Sequence, residues 1–114
     1  LGYIQSARRA EWSAYHLAAQ SLAVQRLEAV RSAKWDTQSF PAVDRLVSSN
    51  FPPVVDVLDV PLVGGGSVQA TSTVSITVVS ADPPLKMVEV ETVWPFHRSG
   101  LYTNITATYR APDQ

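Results

Sequence analysis

The chain has no cysteine. Disulfides and thiolate-bound metals are therefore excluded, while the compartment stays open, because proteins on either side of a membrane do without cysteine. No apolar run approaches the roughly 18 residues of a membrane-spanning helix, and no signal-peptide pattern occurs. A dominant charge is also missing. Nine basic and ten acidic residues give a formal net charge of −1, so the sequence offers no strong field for nucleic acid or an anionic membrane. Histidine is reduced to His16 and His97, without the ligand spacing of a zinc site. No G-x-S-x-G elbow is present. The glycines Gly64 to Gly66 lack the Lys that completes a phosphate loop. The first residue is Leu1, not Met, which suggests a chain processed or cut from something longer. What remains is 114 residues with 46% apolar content, enough for one folded domain with a modest core.

Residues 6–35 contain neither Pro nor Gly and are rich in Ala, Leu, Gln, Arg and Glu. This predicts a helix over residues 1–34, about 50 Å long at 1.5 Å per residue. One apolar row is Tyr15, Ala19, Leu22, Val30 and Ala33, interrupted by Arg26. A second is Ala14, Leu17, Val24 and Leu27, roughly opposite, with Glu28 at its border. A helix apolar on several sides wants partners on several sides. Arg31 and Lys34 in the last turn favour the negative end of the helix dipole.

Residues 35–53 read as a connecting loop, rich in Ser, Asp and Pro, with a short helical turn at Ala42 to Val47. Trp35, Phe40 and Phe51 are expected to pin it to the core. Residues 54–110 read as antiparallel sheet. A strand is expected at Val54 to Val60, followed by a glycine turn. Val68, Ala70, Val74, Ile76 and Val78 then share one face of a second strand, and Gln69, Thr71, Thr73, Ser75 and Thr77 the other. After the "ADPPLK" turn, Val88, Val90, Trp94 and Phe96 point inward and Glu89 and Glu91 outward. After "HRSG", Leu101, Ile105, Ala107 and Tyr109 share the apolar face. The tail "APDQ" reads as a polar exit. The fold class is therefore α+β: a long N-terminal helix packed on one face of a three- to four-stranded, mainly antiparallel sheet. The back half of the helix covers the sheet, and Gly2 to Ala14 are left without a partner. The expected core joins Leu22, Leu27 or Val30 to Val74, Ile76, Val88, Val90, Trp94 and Ile105.

This layout resembles type IV pilins and type II secretion pseudopilins, above all the minor V-type pilins and I-type pseudopilins. "LAAQSLAVQRLEAVR", Leu17 to Arg31, is similar to the end of that family's first helix. "KMVEVETVWPFHRSGLYTNITATYRAP", Lys86 to Pro112, is similar to its last two strands. The family's basic leader, Gly-Phe cleavage site and apolar anchor have no match in this sequence. The resemblance thus implies that Leu1 lies just after such an anchor. It implies a single pilin-like domain over residues 1–114, acting as a structural minor subunit in a cell-envelope filament or its tip. It implies no catalysis, cofactor or metal. The implied partners are other pilin or pseudopilin subunits, with the inner membrane reached through an N-terminal segment before assembly, and the implied location is periplasmic or extracellular. Ile4, Ala7, Trp12 and Leu17 are the expected subunit-contact residues. The alternative is a free-standing helix-on-sheet binding module, cystatin-like or nuclear-transport-factor-like, with a pocket between helix and sheet.

Other residues are weighed against plainer roles. His16 and His97 read as surface or partly buried residues before they read as a metal pair. Glu89 and Glu91 read as a solvated face, able to pair with Arg110 or Arg98 across a hairpin. Some major pseudopilins bind calcium, but Asp56 and Asp59 bring too few oxygen ligands for such a site. Asn104 begins the sequon "NIT", read as chance. Arg8 and Arg9 suit lipid headgroups beside a membrane span, and more simply solvated helix charge.

Overall fold

The computed structural model describes residues 2–60, 67–96 and 100–114, with side chains from residue 7 onward. One helix, α1, spans Gly2–Arg31. It stops three residues short of Lys34. The chain tightens there through Ala33 N–H to Val30 O at 3.1 Å, and a side chain from the far end of the sheet occupies the last carbonyls (below).

A four-stranded antiparallel meander follows: β3 (Val54–Val57), β4 (Gln69–Ala81), β5 (Pro84–Pro95) and β6 (Leu101–Arg110), in the spatial order β3-β4-β5-β6. The β4–β5 connection is Asp82 and Pro83 alone. Gly100 takes φ +113°, a conformation that favours glycine, and its carbonyl accepts Phe96 N–H at 3.2 Å to close the β5–β6 hairpin. The strand expected to reach Val60 ends at Val57, although Leu58 N–H still bonds Val68 O at 2.7 Å. The glycine turn at Gly64 to Gly66 lies outside the described residues.

Residues 35–53 hold more order than a loop. β1 (Trp35–Asp36) pairs antiparallel with β2 (Val43–Asp44), followed by a 3₁₀ turn at Ser48–Asn50. The helical turn expected at Ala42 to Val47 is not formed. Aspartate side chains favour turns here by bonding nearby backbone: Asp36 accepts from Gln38 and Ser39 N–H, and Asp44 from Leu46 N–H. Trp35 is buried and Phe51 packs on the core, but Phe40 is fully exposed and pins nothing.

The buried row of α1 is Tyr15, Ala19, Ala23, Leu27 and Val30, at steps of four, four, four and three. Leu27, expected in the opposite row, joins this face. The two alanines are wholly buried and let the helix approach the strands closely. Around them the core forms two clusters. Tyr15 and Ala19 meet Leu58, Ala70, Trp94 and Phe96. Ala23, Leu27 and Val30 meet Trp35, Leu46, Val74, Val88 and Val90. Fully burying one such valine contributes about 1.5–3 kcal/mol.

On the sheet, β5 follows its expected alternation. In β4, Ala70 and Val74 are buried, Ile76 is half-buried and Val78 is exposed, because Val78 pairs with Lys86 at the end of the cover. β6 is inverted relative to expectation. Leu101, Ile105, Ala107 and Tyr109 are exposed, and Tyr102, Asn104, Thr106, Thr108 and Arg110 take the helix side. The register fixes this, since Trp94 pairs with Tyr102, Thr92 with Asn104 and Lys86 with Arg110. Ile105 is accordingly not a core residue.

The molecule measures 64 × 24 × 20 Å with a radius of gyration of 17.9 Å. A compact chain of this length has a radius near 13 Å. The excess reflects an offset: the helix is about 45 Å long and β4 and β5 about 40–44 Å, with the helix front exposed at one end and the β4–β5 turn at the other.

Candidate functional site

The expected contact surface is the front of α1. Residues 7–10 are all exposed, so Ala7, Arg8 and Arg9 project past the sheet. The Ile4 side chain lies outside the described residues. Leu17 is 67% exposed, and Val24 is exposed on the same side. Trp12 departs from the expectation. Its ring lies 5.9 Å from Trp94 and 5.8 Å from Tyr102, and stacks on His16 at 5.0 Å. Trp12 is therefore part of this chain's own fold, and docking begins there rather than after Ala14.

The helix is tied to β6 by a polar level within the core. Ser72, Thr92 and Asn104 occupy one rung across three strands and are all buried. Ser72 Oγ and Thr92 Oγ1 bond at 3.0 Å. Trp94 Nε1–H donates to Asn104 Oδ1 at 2.6 Å. Asn104 Nδ2 donates to Gln20 Oε1 at 3.0 Å and approaches His16 Nδ1 at 3.2 Å. His16 is thus engaged with Trp12 and Asn104, and Asn104, first of the "NIT" sequon, is turned away from solvent. His97 lies outside the described residues.

Two basic residues form anchors that the sequence did not reveal. Lys86 is buried at the start of β5. Its Nζ donates to Asp44 at 2.6 and 2.8 Å and to Leu46 O at 2.7 Å, and sits 4.7 Å from the Trp35 ring centre. Arg110 caps the helix from the end of β6, donating to Arg31 O at 3.1 Å and Ala33 O at 2.9 Å. It also pairs with Asp113 at 2.7 Å. The tail is therefore more than a polar exit. Asp113 accepts Trp35 N–H at 3.0 Å and returns its own N–H to Trp35 O at 2.7 Å. The Trp35 N–H, with the Arg110 charge beside it, holds the Asp113 carboxyl below its usual range despite opposing desolvation. With Arg110 so placed, Glu89 and Glu91 do not pair with it. They face away from the helix, opposite Ala107 and Ile105. Arg98 lies outside the described residues.

Among the described residues, no three His, Cys, Asp or Glu side chains come together as a metal site, and Asp56 and Asp59 are exposed. A cleft of about 510 Å³ opens beside Thr37, Gln38, Pro83, Pro84, Pro112 and Asp113, between the β4–β5 turn and the C-terminal tail. No helix among the described residues is long and apolar enough to cross a membrane. The surfaces left for recognition are the projecting helix front, the Leu17–Val24 flank, and the outer face of β6 with Leu101, Ile105 and Tyr109. No protein-family model, curated protein or solved structure matches this chain.

Proposed function

We propose that the protein is a structural, pilin-like subunit of a cell-envelope filament or its tip, acting by lateral packing and not by catalysis. The observation that carries this reading is the division of α1. From Trp12 to Val30 the helix is built into its own domain, while residues 7–10 are exposed on every side. An unpacked helix end is marginal in water, so a surface kept helical there suits contact with neighbouring subunits. The pocket-forming alternative wants open space between helix and sheet. Here Trp94, Val88 and Val90 fill that space, each 1% exposed or less.

In this reading the partners are other subunits of the same kind, and Ala7 and Leu17 face them. Ile4 extends the same contact. The test is Ala7→Glu, introduced into the gene in its native host and followed by immunoblotting of sheared surface filaments and envelope complexes. Incorporation should fall while the melting temperature of the purified 114-residue chain stays unchanged. Normal incorporation, or the absence of any assembly containing the wild-type protein, would overturn the subunit reading.

A further inference from the structure

The last strand ends the sheet with its outer edge open. β6 pairs only with β5 among the described residues, so alternate residues of its ten present backbone N–H and C=O groups on the other side. Natural edge strands are usually blunted by Lys, Pro, bulges or short length. β6 uses none of these. Its register with β5 is unbroken, and "LYTNITATYR" holds no charge before Arg110, whose guanidinium is engaged with the end of α1 and Asp113.

The geometry points to a second copy of this chain as the occupant, joined by antiparallel β6–β6 pairing about a two-fold axis at Ile105. The strand is self-complementary in that register. Ile105 opposes Ile105 of the second copy, Leu101 opposes Tyr109, and Thr103 opposes Ala107. Leu101, Ile105 and Tyr109 are 71%, 58% and 63% exposed in the single chain. Directly opposed side chains of this kind stabilise a sheet, whereas like charges there oppose it.

The helix supplies a second, independent match. Gln20 reaches Asn104, so the Gln20 flank of α1 is the one over β6. Leu17 and Val24 lie three residues before and four after Gln20, on that same flank, and both are exposed. The axis at Ile105 runs at the level of Gln20. It therefore sets Leu17 of one copy against Val24 of the other. Both helices lie on one side of the joined eight-stranded sheet. A helix seated between β5 and β6 stands about two strand spacings from its copy across the axis, roughly 9–10 Å, within the 8–10 Å at which helices pack. From Ser13 to Val24 this flank is Ser13, His16, Leu17, Gln20, Ser21 and Val24, without charge, and the next residue on it, Glu28, falls opposite Ser13 of the copy, so no like charges meet. This interface shares Leu17 with the filament contact but not Ala7, so Ala7→Glu tests that reading and the Ile105 variants test this one.

The chain has no native cysteine, which makes cross-linking a clean test of register. Ile105→Cys should form a disulfide-linked dimer under mild oxidation. Thr103→Cys alone should not, but should cross-link to Ala107→Cys when the two are mixed. Sedimentation of the wild-type chain should show a shift from 12.4 kDa to twice that mass as concentration rises. Ile105→Lys should weaken the dimer at least about tenfold with an unchanged melting curve at low concentration, and mixing it with Ile105→Glu should restore the dimer. A chain that stays at 12.4 kDa up to about 1 mM, with no Ile105→Cys cross-link, overturns the proposal and leaves the edge to a strand from another protein. Association that Ile105→Lys leaves untouched overturns it equally.

Discussion

The ion pair of Lys86 and Asp44 should respond asymmetrically to loss of its two members. Asp44→Ala leaves the ammonium of Lys86 nearly buried with only Leu46 O and the Trp35 face around it. It also removes the acceptor of Leu46 N–H. Breaking a fully buried pair costs about 3–5 kcal/mol. The Asp44 side chain is 43% exposed, so water replaces part of the loss and about 2–3 kcal/mol is expected. Lys86→Met keeps an apolar stem against Trp35, returns Asp44 to water, and deprives Leu46 O of one donor, for about 1 kcal/mol. The double variant should exceed Lys86→Met alone only by the lost Leu46 N–H bond, about 1 kcal/mol, since the pair is already broken. Urea unfolding by Trp fluorescence measures all three, with an unchanged m-value as the sign of an intact fold. For a chain of this length the shifts correspond to roughly 4 °C of melting temperature per kcal/mol. If Lys86→Met were the costlier change, or Asp44→Ala cost under about 0.5 kcal/mol, the ammonium would not depend on its carboxylate and the reasoning would fail.

Asp113 predicts an acid-side dependence. Its folded pKa lies below the ordinary 3.8, chiefly through the Trp35 N–H bond, so its contribution is present above about pH 4 and is lost as pH falls through the depressed value. Asp113→Asn should make the acid limb of melting temperature against pH shallower; an identical limb would remove Asp113 as a contributor. Trp12→Ala should cost about 1.5–3 kcal/mol, less than a fully buried aromatic, as measured by urea unfolding. A loss under about 0.5 kcal/mol would return Trp12 to the free helix front.

Local pattern carried the helix and the two central strands. An uninterrupted run of helix formers leaves few alternatives, and the Val-Glu alternation of β5 admits one facing. The Trp35–Asp44 ribbon was hidden because it forms from two residues on each side, and Asp44 and Lys86 are 42 positions apart. The helix terminus is hidden for a similar reason. What ends it usefully is Arg110, which lies 79 residues beyond Arg31. No periodicity reports partners at that separation.

The inversion of β6 has a more specific cause. Choosing the apolar set Leu101, Ile105, Ala107 and Tyr109 for the core is the natural inference from hydrophobicity. It fails because three groups facing that strand are polar: the Trp94 Nε1–H, the Gln20 amide and the carbonyls closing α1. A one-residue slip would bury Ile105 but withdraw Asn104 from Trp94 and Gln20, and Arg110 from Arg31 O. Buried polar groups left unpaired cost about 1–3 kcal/mol each, and the slip would strand the Trp94 Nε1–H, the Gln20 amide and the helix-end carbonyls at once while turning Tyr102 out of the core. The same balance exposes Leu101, Ile105 and Tyr109 on the outer face. The polar bonds that dock this strand under its own helix are therefore what place its apolar side chains where another chain can reach them.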